Sequence, residues 1–196
     1  MLKPSDGQTF RIVAMDPGTD TLGLSLLEID LCYMRTQIAQ VHTFRGSQLQ
    51  KLFPVISEIH GDRTARLMAH EENIFQFLHY ANPHSVVTEG PYMGRFPAAF
   101  AALTECVSAI RRAVIRYDQF MPLHVIDPST IKKNMGVKGT SGDKLAMTKA
   151  LIAKLNEPAS DLINPSNIDI AALDDHSVDS ICVGYLHARN IIATLE

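Results

Sequence analysis

Five acidic residues and one histidine stand where this chain can do chemistry. Asp16 lies in the run AMDPGTDTLG, at the end of an apolar stretch, Arg11 to Met15, suited to a buried strand. Pro17 and Gly18 then force a turn, and Gly23 opens the next strand candidate. Glu89 closes a second stretch rich in β-branched residues, Ser85 to Glu89, and Gly-Pro follows it at once in VVTEGPYMG. The third place is Asp174-Asp175-His176 with Asp179, where residues 175, 176 and 179 share one helical face at spacings of three and four. Carboxylates at two strand ends and one helix start, dominated by hard oxygen donors, are what a magnesium site requires.

Taken singly, each of these has a simpler explanation. Asp-Pro-Gly is a common turn sequence. Glu89 can pair with a nearby arginine, and Asp174 or Asp175 can cap a helix, a place that favours acidic side chains. Only the conjunction points to a metal.

The elements that must position these residues follow from periodicity. Leu22 to Ile29 and Thr36 to Phe44 read as strands joined to the first by short connections, an antiparallel meander. Asp62 is a candidate N-cap for a helix through Tyr80, with Leu67, Ile74, Leu78 and Ala81 on one face, and Asn82-Pro83 stops it. After the strand ending in Glu89, Pro97 opens an alanine-rich helix to about Tyr117. Leu123 to Ile126 is a fifth strand, and Ser129 can cap a short basic helix behind it. Gly136 to Gly142 reads as a flexible loop before a second basic helix, Asp143 to Leu155. Residues 156–167 are a long irregular connection, and a last helix runs from about Leu173 to Arg189. The expectation is an α/β fold in which a five-stranded mixed sheet, a three-stranded meander plus two further strands, is flanked by helices.

With 196 residues and 46% hydrophobic content, the chain suits one domain, residues 11–190, behind a polar extension at 1–10. That extension has no apolar segment of the signal-peptide kind and no later run is long enough for a bilayer, so a cytoplasmic protein without membrane contact is expected. Cys32, Cys106 and Cys182 are far apart and read as free buried thiols. The net charge of −3 is unevenly spread: residues 90–155 carry ten basic residues against four acidic, a net of +6, and the rest of the chain carries −9. Arg95, Arg111, Arg112, Arg116, Lys132, Lys133, Lys138 and Lys144 belong to that segment. Such a region can form a phosphate-binding surface, or simply a solvated helix face.

The separated motifs together resemble the RuvC family of Holliday-junction resolvases, from about Arg11 to Arg189. The aspartate, Pro-Gly turn and glycine seven residues beyond are matched by Asp16, Pro17, Gly18 and Gly23. The strand-ending glutamate with an aromatic three residues on is matched by Glu89 and Tyr92, with Tyr where Phe is usual. The final Asp-or-His and Asp pair is matched by His176 and Asp179, and IKKNMGVKGTSGDK is similar to the family's loop and lysines.

The resemblance implies a ribonuclease H-like fold and an endonuclease that resolves four-way junctions by paired symmetric nicks. It implies two Mg2+ ions, replaceable by Mn2+, with Asp16 bridging both, Glu89 on one, and His176 and Asp179 on the other. Asp175 shares the face of His176 and can replace or join it. Lys144 would offset charge developing on the phosphate. Candidate DNA contacts are Tyr92, Arg95, Phe96, Lys132, Lys133, Lys138 and Lys144. Tyr92 and Phe96 would stack on unpaired bases or, alternatively, plug the core. Two symmetric cuts imply a homodimer, for which the apolar run Ala98 to Leu103 is a candidate interface. The open alternatives are a ribonuclease H-like enzyme acting on forks, flaps or RNA, an actin-like ATPase, and a DNA-binding dimer without catalysis. The ATPase normally needs two such domains.

Overall fold

The computed structural model describes residues 9–93, 96–137 and 145–195. Strands β1 (Thr9–Asp16), β2 (Thr21–Asp30) and β3 (Arg35–Arg45) form the antiparallel meander that the alternation of the sequence predicts. Short helices α1 (Gly46–Leu49) and α2 (Pro54–His60) lead to α3 (Asp62–Ala81), then β4 (Ser85–Glu89), α4 (Pro97–Tyr117) and β5 (Leu123–Ile126). Helices α5 (Pro128–Asn134) and α6 (Ala146–Leu155), the two-residue strand β6 (Leu162–Ile163) and α7 (Asp175–Ile192) complete the chain. The sheet order is β5-β4-β1-β2-β3-β6, with β4 parallel to β1 and to β5, and β6 parallel to β3. The sheet therefore has six strands rather than five. The extra one is a short pairing of Leu162 and Ile163 with Thr36 and Gln37, too brief to show as a periodicity in an irregular segment.

Strand alternation divides the core into two layers. Ile12 and Ala14 on β1, Leu27 and Ile29 on β2 and Val87 on β4 face Val178, Ile181, Cys182 and Tyr185 of α7. Val13, Met15, Leu22, Leu24, Leu26 and Val86 face Ile74 and Leu78 of α3 and Ile110 and Val114 of α4. The register of β2 against β3 shifts by one residue between Leu26 and Leu27, a bulge that leaves Ala39 as the extra residue on β3. Helix α7 comes close to the sheet at two glycines. A Cβ on Gly184 would lie 2.4 Å from Leu27 and 2.8 Å from Ala14, and one on Gly23 would lie 2.0 Å from the carbonyl oxygen of His176.

Several caps differ from expectation. Asp62 is the first residue of α3, not its cap; the cap is Gly61 in a positive-φ conformation, and the Asp62 carboxylate accepts from Ser57 instead. Asp127, not Ser129, caps α5 by accepting from the amide of Ser129 at 2.8 Å. Helix α7 begins at Asp175 rather than near Leu173, because a single 3-10 turn at Ile170–Ala172 ends before it. Cys106 and Cys182 are free and buried as expected, but Cys32 is exposed in the β2–β3 turn, where its amide donates to Asp30. No helix among the described residues is long and apolar enough to cross a membrane.

Candidate active site

The carboxyl ends of β1 and β4 lie side by side. Their last paired residues are Met15 and Thr88, and one step further come Asp16 and Glu89. By strand alternation Asp16 continues the row of Ile12 and Ala14, and Glu89 the row of Val87, so both point to the face that α7 covers. In open α/β sheets the carboxyl ends of adjacent parallel strands form the crevice where ligands bind. The Asp-Pro-Gly turn fits there because a Cβ on Gly18 would lie 2.2 Å from the carbonyl oxygen of Thr21 and 3.2 Å from the ring of His176. Beyond the turn, Asp20 accepts from the amide of Ser47 at 2.7 Å and fixes the loop to α1.

Helix α7 delivers His176 and Asp179 to this crevice. His176 Nδ1 lies 2.5 Å from Asp16 Oδ2. Asp174 caps the helix by accepting from the amide of Ser177 at 3.1 Å, and it also accepts from the hydroxyl of Thr43 on β3. Burial alone would raise the Asp174 carboxyl, but the hydrogen bonds from Thr43 and Ser177 outweigh it and hold it below the ordinary range. The cap thus occupies Asp174, and Asp175, also expected in the ligand set, is exposed on the solvent side of the first turn.

Burial, reinforced by neighbouring carboxylates, sets the electrostatics of the cluster. Burial, then the neighbouring Asp16 and Asp179, push Glu89 up to about 8, with Lys132 opposing. Burial and Asp16 push Asp179 up to about 7, against His176 and Lys132. Asp16 is raised by burial in spite of the His176 contact, and that same contact raises His176. Carboxylates held this way gain by any cation that enters among them. The hard oxygen donors of Asp16, Glu89 and Asp179, with one imidazole, therefore fit a divalent ion. Among the described residues no three such side chains already converge on one point, and the imidazole is turned onto Asp16.

The surroundings separate the basic residues into two kinds. Lys132 and Lys133 on α5 are exposed, and with Tyr92, Pro128, Ser129, Gly136 and Val137 they line a cavity of about 500 Å3. Tyr92 and Phe96 are 60% and 73% exposed, so neither plugs the core. Arg112 and Arg116, in contrast, are paired with Glu71 and Glu72 of α3 while staying about half exposed. Arg95, Lys138 and Lys144 lie outside the described residues. Sequence reasoning passed over Thr43 and Ser177, although Asp174 followed three residues later by Ser177 is a recognisable cap pattern.

No protein-family model and no curated protein matches the sequence. Solved structures do match the fold. RuvC of Thermus thermophilus, in complex with Holliday junction substrate, aligns with a TM-score of 0.66 at 14% identity over 94% of this chain and 96% of that one. The fowlpox virus Holliday junction resolvase aligns with a TM-score of 0.58 at 14% identity, covering 92% and 99%. The yeast mitochondrial Holliday junction resolvase aligns at 0.59 and 12% identity, covering 95% and 85%. The chain has the ribonuclease H-like fold of these resolvases across nearly its whole length.

Proposed function

We propose that this chain, through residues 11–190, is a divalent-metal-dependent endodeoxyribonuclease that resolves four-way DNA junctions, or related branched DNA, by paired symmetric nicks. The observation that carries the reading is that Asp16, in contact with His176 of α7, lies close enough to Glu89 and Asp179 for its charge to raise both of these largely enclosed carboxyls. The fold supports it, since RuvC of Thermus thermophilus and the fowlpox virus and yeast mitochondrial resolvases share it, and the first two were solved with junction DNA.

Asp16, Glu89, Asp179 and His176 would hold Mg2+, as two ions, with Mn2+ as a substitute. Bound there, the metal supplies an activated water and a charge partner for the leaving oxygen. Asp16, the most enclosed of the four, orients the cluster from the strand end, and His176 meets it from the helix. Lys132, close enough to lower both Glu89 and Asp179, also lines the cavity beside Tyr92 and is proposed as a phosphate contact. Lys144 is proposed as a further phosphate contact. Nicks made this way leave 5′-phosphate and 3′-hydroxyl ends. Asp16→Asn keeps the shape and removes the charge, and it should abolish cutting of a labelled four-way junction in magnesium; normal cutting would refute the proposal.

Paired nicks call for two copies. Residues Pro97, Ala98, Ala99 and Ala101 in the first two turns of α4 are exposed, whereas its later turns bury Cys106, Val107, Ile110 and Val114. That exposed small-residue face is proposed as the homodimer contact, and sedimentation at micromolar concentration should find a dimer rather than a monomer. The contrasting reading is a non-catalytic DNA-binding dimer. It would bind junctions equally with and without magnesium and cut none.

A further inference from the structure

Asp16, Gly23 and Thr43 are neighbours in register on β1, β2 and β3. Cross-strand partners point to the same face, so the three form a row across the end of the sheet. The first turn of α7 touches every member of it. His176 meets Asp16 at one end, and the main chain of His176 and Ser177 passes over Gly23, where a Cβ would lie within 2.0 Å of the His176 carbonyl oxygen and 2.9 Å of the Ser177 nitrogen. At the other end the hydroxyl of Thr43 donates to Asp174 and lies 2.5 Å from Ser177 Oγ. The Ser177 hydroxyl also donates to Asp174 Oδ2 at 3.3 Å, so the two hydroxyls share that carboxylate and either can be the donor between them. Ser177 is only 1% exposed, which leaves little room for water to replace these bonds.

Contact at Gly23 alone fixes how near the helix comes, but not how far it rotates about its axis or slides along the row. We infer that Thr43 is a positioning residue for the acidic site. By tying the cap Asp174 and the buried Ser177 to β3, it sets the rotation of the first turn of α7 and hence the direction of His176 and Asp179 toward Asp16 and Glu89. It also keeps the Asp174 carboxylate engaged as a cap, so the divalent ions are left to the other four side chains. The inference rests on the metal-dependent reading proposed above.

The test is calorimetric titration of the intact protein with Mn2+ in the absence of DNA, with thermal melts to verify folding. Thr43→Val removes the hydroxyl at nearly constant volume and should weaken Mn2+ binding about tenfold, the lower range for groups that orient metal ligands. Thr43→Ser keeps the hydroxyl and should bind as the parent does. Should Thr43→Val fail to fold, Ser177→Ala, in which the backbone amide still caps through Asp174, should show a smaller loss in the same direction. Parent-like binding by Thr43→Val, or by Ser177→Ala in its stead, overturns the inference alone, as does a Thr43→Ser variant as weak as Thr43→Val. A parent that takes up no Mn2+ overturns the metal reading and the inference together.

Discussion

Asp16 at the end of β1 and His176 in the first turn of α7 are 160 residues apart in the chain and 2.5 Å apart in space. With Glu89 and Asp179 they make four titratable groups whose folded values all lie above the ordinary ones. Burial is the leading cause for the carboxyls, and the Asp16 contact for the histidine.

The sign of the pH dependence follows. A group with a raised folded pKa holds more protons in the folded state, so its stability contribution is lost as pH rises toward the folded value. Measured against Glu89→Gln, which keeps the opposite contributions of the buried His70 and His187, the metal-free parent should lose stability from pH 5, above the ordinary carboxylate range, to pH 8, the folded value of Glu89. The expected fall in melting temperature is at least ~3 °C, the equivalent of about 1 kcal/mol in a domain of this size. Divalent metal takes the place of those protons, so Mn2+ should raise the melting temperature more at pH 8 than at pH 5. A metal-free melting temperature that climbs over this window relative to Glu89→Gln would contradict the electrostatic description.

Gly23→Ala would place a methyl against backbone, not against a side chain that can move aside. Overpacking at an immobile neighbour should cost about 3 kcal/mol. Urea unfolding should report that loss, and the variant should bind metal poorly because α7 is lifted from Asp16. An unchanged unfolding midpoint would mean that α7 does not approach the sheet this closely.

Lys132 and Arg112 make opposite expectations for DNA binding. Lys132→Ala should weaken binding to junctions and reduce the slope of log affinity against log salt by about 1, the signature of one lost phosphate contact. Arg112→Gln should leave that slope unchanged, since its guanidinium is engaged with Glu71 at 2.7 Å. Equal effects of the two would mean that the basic segment acts only through its summed charge.

Tyr92→Ala removes a ring that is more than half exposed and that serves no core. Cutting of branched DNA should fall about tenfold or more, because stacking on an unpaired base is worth ~1–3 kcal/mol. The melting temperature and Mn2+ affinity should stay at the parent values. A variant that melts early would assign Tyr92 to the fold.

What the sequence could disclose depended on how local the signal was. The strand at Ser85–Glu89 and the helix at Pro97–Tyr117 have the same limits in sequence and structure, because Glu89-Gly90-Pro91 and Pro97 are strong local breaks. The placements of Asp16 and Glu89 were legible for the same reason: each ends an apolar strand at a turn. Asp174 as cap was readable only from its spacing to Ser177, whereas the Thr43 hydroxyl that also engages it comes from 131 residues away and leaves no local signal. The pairing of Arg112 and Arg116 with α3 is likewise a matter of tertiary packing between helices separated by a strand. A charge count along the chain cannot register it.

The central claim is most directly tested by mapping the nicks that the purified protein makes in magnesium on end-labelled four-way, Y-shaped, flap and linear duplex DNA. The account expects two nicks at symmetry-related positions of the four-way junction, with 5′-phosphate ends that a ligase seals, and none with Asp16→Asn. Equal cutting of every substrate, or cutting that survives in Asp16→Asn, would contradict it.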